Sequence, residues 1–213
     1  QTLNPTGFRW EAVKNSFVEQ FINSHHCSGQ NISLNYCELL NNYRSDAEIV
    51  KFSNTVQKFR GSILKNDIVP QKPWRTSGGA VLYFDVNDSG FWSWAEAHRN
   101  EIVFVVPCNQ GEEKEYWERK SLSSHMRFDD VTVMSTVAIK GLEYNSIVTC
   151  GFGQEAPVGV SEYLKNGKNS SLNDDKTLPV EYFINKLYVA VSRAQHNLWI
   201  VDNAAGNDSF WKY

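Results

Sequence analysis

The sequence predicts an α/β domain: one open, mostly parallel sheet with helices on both faces. Two observations carry this. Short apolar strands alternate with helical segments over nearly the whole length, the pattern of a covered open sheet. Several of those strands are near-continuously apolar and β-branched, as strands buried on both faces must be. In such sheets the loops at the carboxyl ends of the strands are the default place for function.

The elements follow in order. Gln1 to Phe8 reads as a loop, and Trp10, Val13, Phe17, Val18, Phe21 and Ile22 recur at helical spacing, predicting a helix that ends before Ser24. Asn31 to Cys37 alternates Ile32, Leu34 and Tyr36 in strand fashion. Ser45-Asp46 then offers a cap for a helix carrying Ile49, Val50, Phe52 and Val56. Gly61 to Gly79, with Pro70, Pro73 and polar neighbours, reads as a connecting loop.

Strand Ala80 to Val86, helix Phe91 to Arg99, strand Ile102 to Val106 and a charged helix Glu112 to Lys120 continue the alternation. Two β-branched strands come next, Val131 to Thr136 and Ile147 to Cys150. Gly153 to Thr177 turns polar and predicts a mobile surface excursion. A helix from about Pro179 to Ala194 and a strand from Asn197 to Val201 complete the pattern. With no internal repeat, the chain reads as a lead-in over 1–30 and one domain over 31–213.

Composition narrows the class. Seven Trp and twelve Phe among 213 residues supply ample core. Apolar runs of roughly 4 to 8 residues fall far short of the roughly 18 that cross a bilayer, so no membrane contact and a cytoplasmic location are expected. Cys27, Cys37, Cys108 and Cys150 lack paired spacing and predict buried reduced thiols. His25-His26-Cys27 are contiguous, and contiguous side chains rarely converge on one ion, so no metal site is expected. A formal charge of −3 makes any nucleic-acid contact modest or shared with another domain.

Three segments carry chemistry: Asn42-Tyr43-Arg44-Ser45, then Thr136 to Tyr144 (TVAIKGLEY), then Leu187 to Ala194 (LYVAVSRA). An arginine is a fixed cation whose planar fork suits phosphate oxygens, and both Arg44 and Arg193 fall beside predicted element ends where such a fork can face a ligand. In this order the segments resemble motifs IV, V and VI of UvrD/Rep-type superfamily 1 DNA helicases. Gln1-Thr2 with Gly7-Phe8-Arg9 resembles the tail of motif III. The resemblance implies a RecA-like C-terminal motor domain. Fewer than a hundred residues separate Ser45 from Thr136, too few for the large inserted 2B domain. The chain departs from the family at Ala138, where histidine is usual, and at Asn185-Lys186, where two arginines are frequent.

What the resemblance implies for each residue is specific. Arg193 is expected as an arginine finger on the γ-phosphate of ATP, Arg44 as a second contact to it, and Gln1 as its sensor. Tyr43 is expected to stack on adenine, Glu143 to accept from the ribose hydroxyl, and Gly141 to allow close backbone approach. Phe8, Arg9 and Thr136 are expected on single-stranded DNA. Plainer roles stand beside these: Arg193 paired with Asp202, Tyr43 capping the sheet, Glu143 solvated and Phe8 in the core.

No phosphate loop of the form G-x-x-x-x-G-K-[ST] and no acidic magnesium motif occur in the sequence. ATP and its Mg2+ are therefore expected mainly on an N-terminal RecA-like domain of the same protein, and this chain alone is expected not to hydrolyse ATP. Two other functions compete: an ATP-gated nucleic-acid-binding or scaffolding module without unwinding, and a dinucleotide enzyme, which lacks its glycine fingerprint here.

Overall fold

The computed structural model describes residues 13, 15, 16, 19, 20, 40–65, 68–166 and 174–212. Gln1, Phe8, Arg9, the run His25-His26-Cys27, Cys37 and the strand expected over Asn31 to Cys37 lie outside them. Residues 13, 15, 16, 19 and 20 are helical, as their apolar spacing predicted.

The elements are β1 (Asn41–Asn42), α1 (Ala47–Leu64), β2 (Lys72–Pro73), β3 (Ala80–Asp85), α2 (Ser89–Ala97), β4 (Ile102–Val106), α3 (Glu113–Arg119), β5 (Thr132–Ser135), β6 (Tyr144–Cys150), α4 (Val158–Asn166), α5 (Asp174–Val191) and β7 (Ala194–Asp202). A short helical turn, Ala204–Gly206, runs into a π-helical turn, Asn207–Trp211. Five strands form one sheet in the order β3-β7-β6-β4-β5, every neighbouring pair parallel. β1 and β2 form a separate parallel pair. The fold is α/β, an open parallel sheet with helices on both faces, as the alternation predicted.

Strand periodicity explains the two cores. Successive side chains of a strand point to opposite faces, so each apolar strand feeds both sides of the sheet. Val103 and Val105 of β4, Ile147 of β6, and Leu198 and Ile200 of β7 pack on one face with α1, α4 and α5. Ile102, Phe104 and Val106, Val148 and Cys150, and Val201 pack on the other with Phe91, Trp92, Tyr116 and Trp117 of α2 and α3. Cys108 and Cys150 are buried free thiols, and burial, with Glu113 and Glu112 nearby, pushes the Cys108 thiol up to about 12.

Three boundaries differ from expectation. Helix α1 runs past Gly61, where a loop was expected, because Gly61 and Ile63 lie on its buried face and that burial outweighs the roughly 1 kcal/mol helix penalty of glycine. Within the polar stretch expected to be a mobile excursion, Val160 and Tyr163 stand three residues apart and reach the core, so α4 forms. Helix α5 begins at Asp174 and contains Pro179, whose missing N–H removes one helical bond near the start, where the cost is confined. Among the described residues no helix is long and apolar enough to cross a membrane.

The carboxyl end of β7 is closed by Asp202. Its buried carboxylate accepts hydrogen bonds from the Gly153 amide at 2.5 Å, the Trp211 indole at 2.9 Å and the Asn203 amide at 3.0 Å. Burial raises its pKa above the ordinary value, and these donors oppose the shift without cancelling it.

Candidate functional site

Three chain segments meet at the amino-terminal edge of the sheet. Tyr144 and Ala194 are register partners at the start of β6 and β7, and the Tyr144 amide donates to the Arg193 carbonyl, so Glu143 and Arg193 emerge side by side. Residues 42–46 lie across the start of β7: Ser45 Oγ donates to the Ala194 carbonyl at 2.7 Å, and the Asp46 amide donates to that of Gln195 at 2.8 Å. Asn42 builds the turn into α1 by accepting the amides of Arg44 and Ser45 on its Oδ1, each at 3.0 Å.

Between these segments is a cavity of about 690 Å³ whose walls include Asn42, Tyr43, Arg44, Lys140, Gly141, Glu143, Tyr188, Ser192 and Arg193. The structure thus collects Tyr43, Arg44, Gly141, Glu143 and Arg193, five residues distant in sequence, around one space. Three cations face a single carboxylate there, although the whole chain carries net negative charge.

Arg44 Nε meets Glu143 Oε1 at 2.5 Å, and its Nη1 donates to the Ser192 carbonyl at 3.4 Å. Glu143 Oε2 also accepts from Gln195, so Glu143 is paired rather than simply solvated. Arg193 differs in having no carboxylate partner among the described residues. It is 8% exposed, its Nη2 donates to the neighbouring Ser192 hydroxyl at 3.2 Å, and its Nε is buried without a partner. Burial, and then the charge of Arg44, lower its pKa, while Glu143 pulls the other way. A buried guanidinium with an unpaired donor costs free energy that a hydrogen-bond acceptor reaching it would return.

Tyr43 is 60% exposed at the rim, which removes the reading of it as a sheet-capping core residue. Gly141 has φ of +91° and nothing within 4 Å of where a Cβ would stand, so the space over its backbone is open to a ligand.

No family model and no curated protein matches the chain. Among solved structures, the chain is similar to the C-terminal domain of a possible DNA helicase from Lactobacillus plantarum WCFS1, with 15% identity, a TM-score of 0.39, and 77% of this chain and 89% of that chain covered.

Two sequence expectations are corrected. The cavity lies at the amino ends of β6 and β7 rather than the carboxyl ends of the strands, because its residues come from the segments that enter those strands. Arg193 does not pair with Asp202: Arg193 precedes β7 and Asp202 is its last residue, about 30 Å of strand away. Thr136 lies apart from the cavity, fully buried, with its hydroxyl unpartnered.

Sequence reasoning also missed contributors. Gln71 lines the cavity because its side chain accepts from Asn42 Nδ2 at 2.8 Å. Asp46 was noted only as a helix cap, yet its carboxylate takes Arg75 Nη1 and His196 Nδ1, each at 2.8 Å, and makes no side-chain cap bond. Burial pushes the Asp46 pKa up, but the hydrogen bonds and charges of Arg75 and His196 outweigh it and hold the group below its ordinary value.

Proposed function

We propose that this chain is the C-terminal motor domain of a UvrD/Rep-type superfamily 1 DNA helicase or translocase. In this reading it offers its amino-edge cavity to ATP held mainly by an N-terminal RecA-like domain of the same protein. The observation that carries the reading is the buried, carboxylate-free Arg193 beside Arg44, in one cavity with an exposed tyrosine and an acidic acceptor.

The chemistry divides among the residues. The Arg193 fork donates to terminal phosphate oxygens and stabilises the charge that grows on them during phosphoryl transfer. Its preformed, desolvated position makes that interaction stronger than a surface arginine could supply. Arg44 adds a second cation held in place by Glu143, and Glu143 keeps acceptor capacity for a ribose hydroxyl. Tyr43 gives the base a face that makes few hydrogen-bonding demands. Mg2+ and the attacking water belong to the other domain, with Gln1 as phosphate sensor. Single-stranded DNA is assigned to Phe8 and Arg9; Thr136, fully buried, offers a strand no accessible hydroxyl.

The test is the ATPase activity of the full-length protein with and without single-stranded DNA, wild type against Arg193→Ala. DNA stimulation of the wild type and a loss of about 10³-fold or more in the variant support the motor reading. Hydrolysis that is slow and indifferent to DNA supports an ATP-gated binding module instead. An unaffected variant removes Arg193 from the chemistry.

A further inference from the structure

Beside Tyr43 stands a second exposed aromatic. Trp74 is 62% exposed, and its ring centroid lies 4.8 Å from that of Tyr43 at a tilt of 43°. Exposing a large indole forgoes one of the larger burial gains available to a side chain, and this loop could have turned it into the core. The loop is instead fastened so that Trp74 stays exposed against Tyr43, which lines the cavity.

Four bonds do the fastening. The Trp74 amide donates to the Asn42 carbonyl at 2.9 Å, extending the pairing of β2 with β1. Asn42 Nδ2 holds Gln71, and Arg75 grips Asp46. The Glu48 amide donates to the Gly78 carbonyl at 3.3 Å. Gly79, at φ of +82°, makes the approach possible, since a Cβ there would sit 2.9 Å from the Asp46 Cβ. The same residue, Asn42, therefore sets the turn that presents Tyr43 and the strand pair that presents Trp74.

We propose that Tyr43 and Trp74 form one composite platform for a purine base, with Trp74 a base-binding residue that favours purine over pyrimidine nucleotides. At a tilt of 43° a planar base that stacks on one ring meets the other at its edge, and a bicyclic base reaches that second contact where a single-ring base falls short. The proposal rests on the nucleotide reading of the cavity.

The experiment measures binding of ATP, UTP and inorganic tripolyphosphate to the full-length protein by equilibrium dialysis, comparing wild type with Trp74→Ala, Trp74→Phe and Arg193→Ala. Trp74→Ala is expected to weaken ATP by about tenfold, the scale of one base–aromatic stack, to weaken UTP less, and to leave tripolyphosphate unchanged. Trp74→Phe restores most of the loss, and Arg193→Ala weakens all three. If Arg193→Ala weakens ATP while Trp74→Ala leaves the ATP-to-UTP ratio unchanged, Trp74 is not a base contact and only this inference falls. Equal losses for ATP, UTP and tripolyphosphate in Trp74→Ala assign Trp74 to loop geometry and also overturn it. A wild type that binds none of the three overturns the nucleotide reading and this inference together.

Discussion

Strand β7 begins just after one buried charge and ends on another, and the two are treated in opposite ways. Asp202, at the carboxyl end, is ringed by donors from Gly153, Asn203 and Trp211. Arg193, at the amino end, keeps a buried Nε without a partner and has a cavity in front of it. A closed polar network rigidifies a fold, whereas an open one is tolerated only where something else completes it. The strand thus separates a closed polar end from an open one, and under the proposed motor reading substitutions at the two ends should move different observables.

The largest expected effect is on turnover. Arg193→Ala in the full-length protein should lower ATP hydrolysis by about 10³-fold, read by steady-state kinetics, with no loss of folding stability. A parallel drop in stability would show that the amino end is structural after all. Next in size, Asp202→Ala should cost about 3 kcal/mol in a urea melt, because several buried donors lose their acceptor at once. Nucleotide affinity at the opposite end should stay unchanged below the transition.

Asp46→Ala comes third, at about 2 kcal/mol, since it breaks a partly exposed ion pair with Arg75 and a hydrogen bond with His196. The Asp46 pKa is lowered in the folded chain, so its contribution is full above the ordinary 3.8 and is lost as pH falls through the folded value. The gap between wild type and variant should close in melts taken progressively below pH 3.8. Smallest is Arg193→Met, expected to raise stability by about 1 kcal/mol by exchanging an uncompensated buried cation for apolar volume. A destabilised Met variant would mean that the Arg193 fork has partners it uses in the free protein.

The sheet was legible in the sequence because strands such as Ile102–Val106 announce themselves by local composition alone. Arg44, Tyr43, Gly141, Glu143 and Arg193 were singled out by their motif neighbours, and the fold brings them around one cavity. Their arrival at the amino edge was not legible, because it depends on the Tyr144–Ala194 register and on the Ser45–Ala194 bond, contacts between segments far apart in the chain. Trp74 was hidden for the same reason: inside a loop marked by two prolines, nothing local reveals that Asn42 and Asp46 will hold it beside Tyr43. Helix α4 escaped notice because its few buried residues are diluted by polar neighbours, and tertiary burial decides its state.

Asp46 also has a kinetic consequence. One carboxylate joins the turn before α1, the loop bearing Arg75 and the strand bearing His196, so those segments are ordered before any ligand arrives. Association should then need little chain ordering, leaving the on-rate governed by diffusion and by the screening of the three cations by salt. The heat-capacity change of binding should be small, reflecting the surface the ligand covers rather than a loop that folds around it.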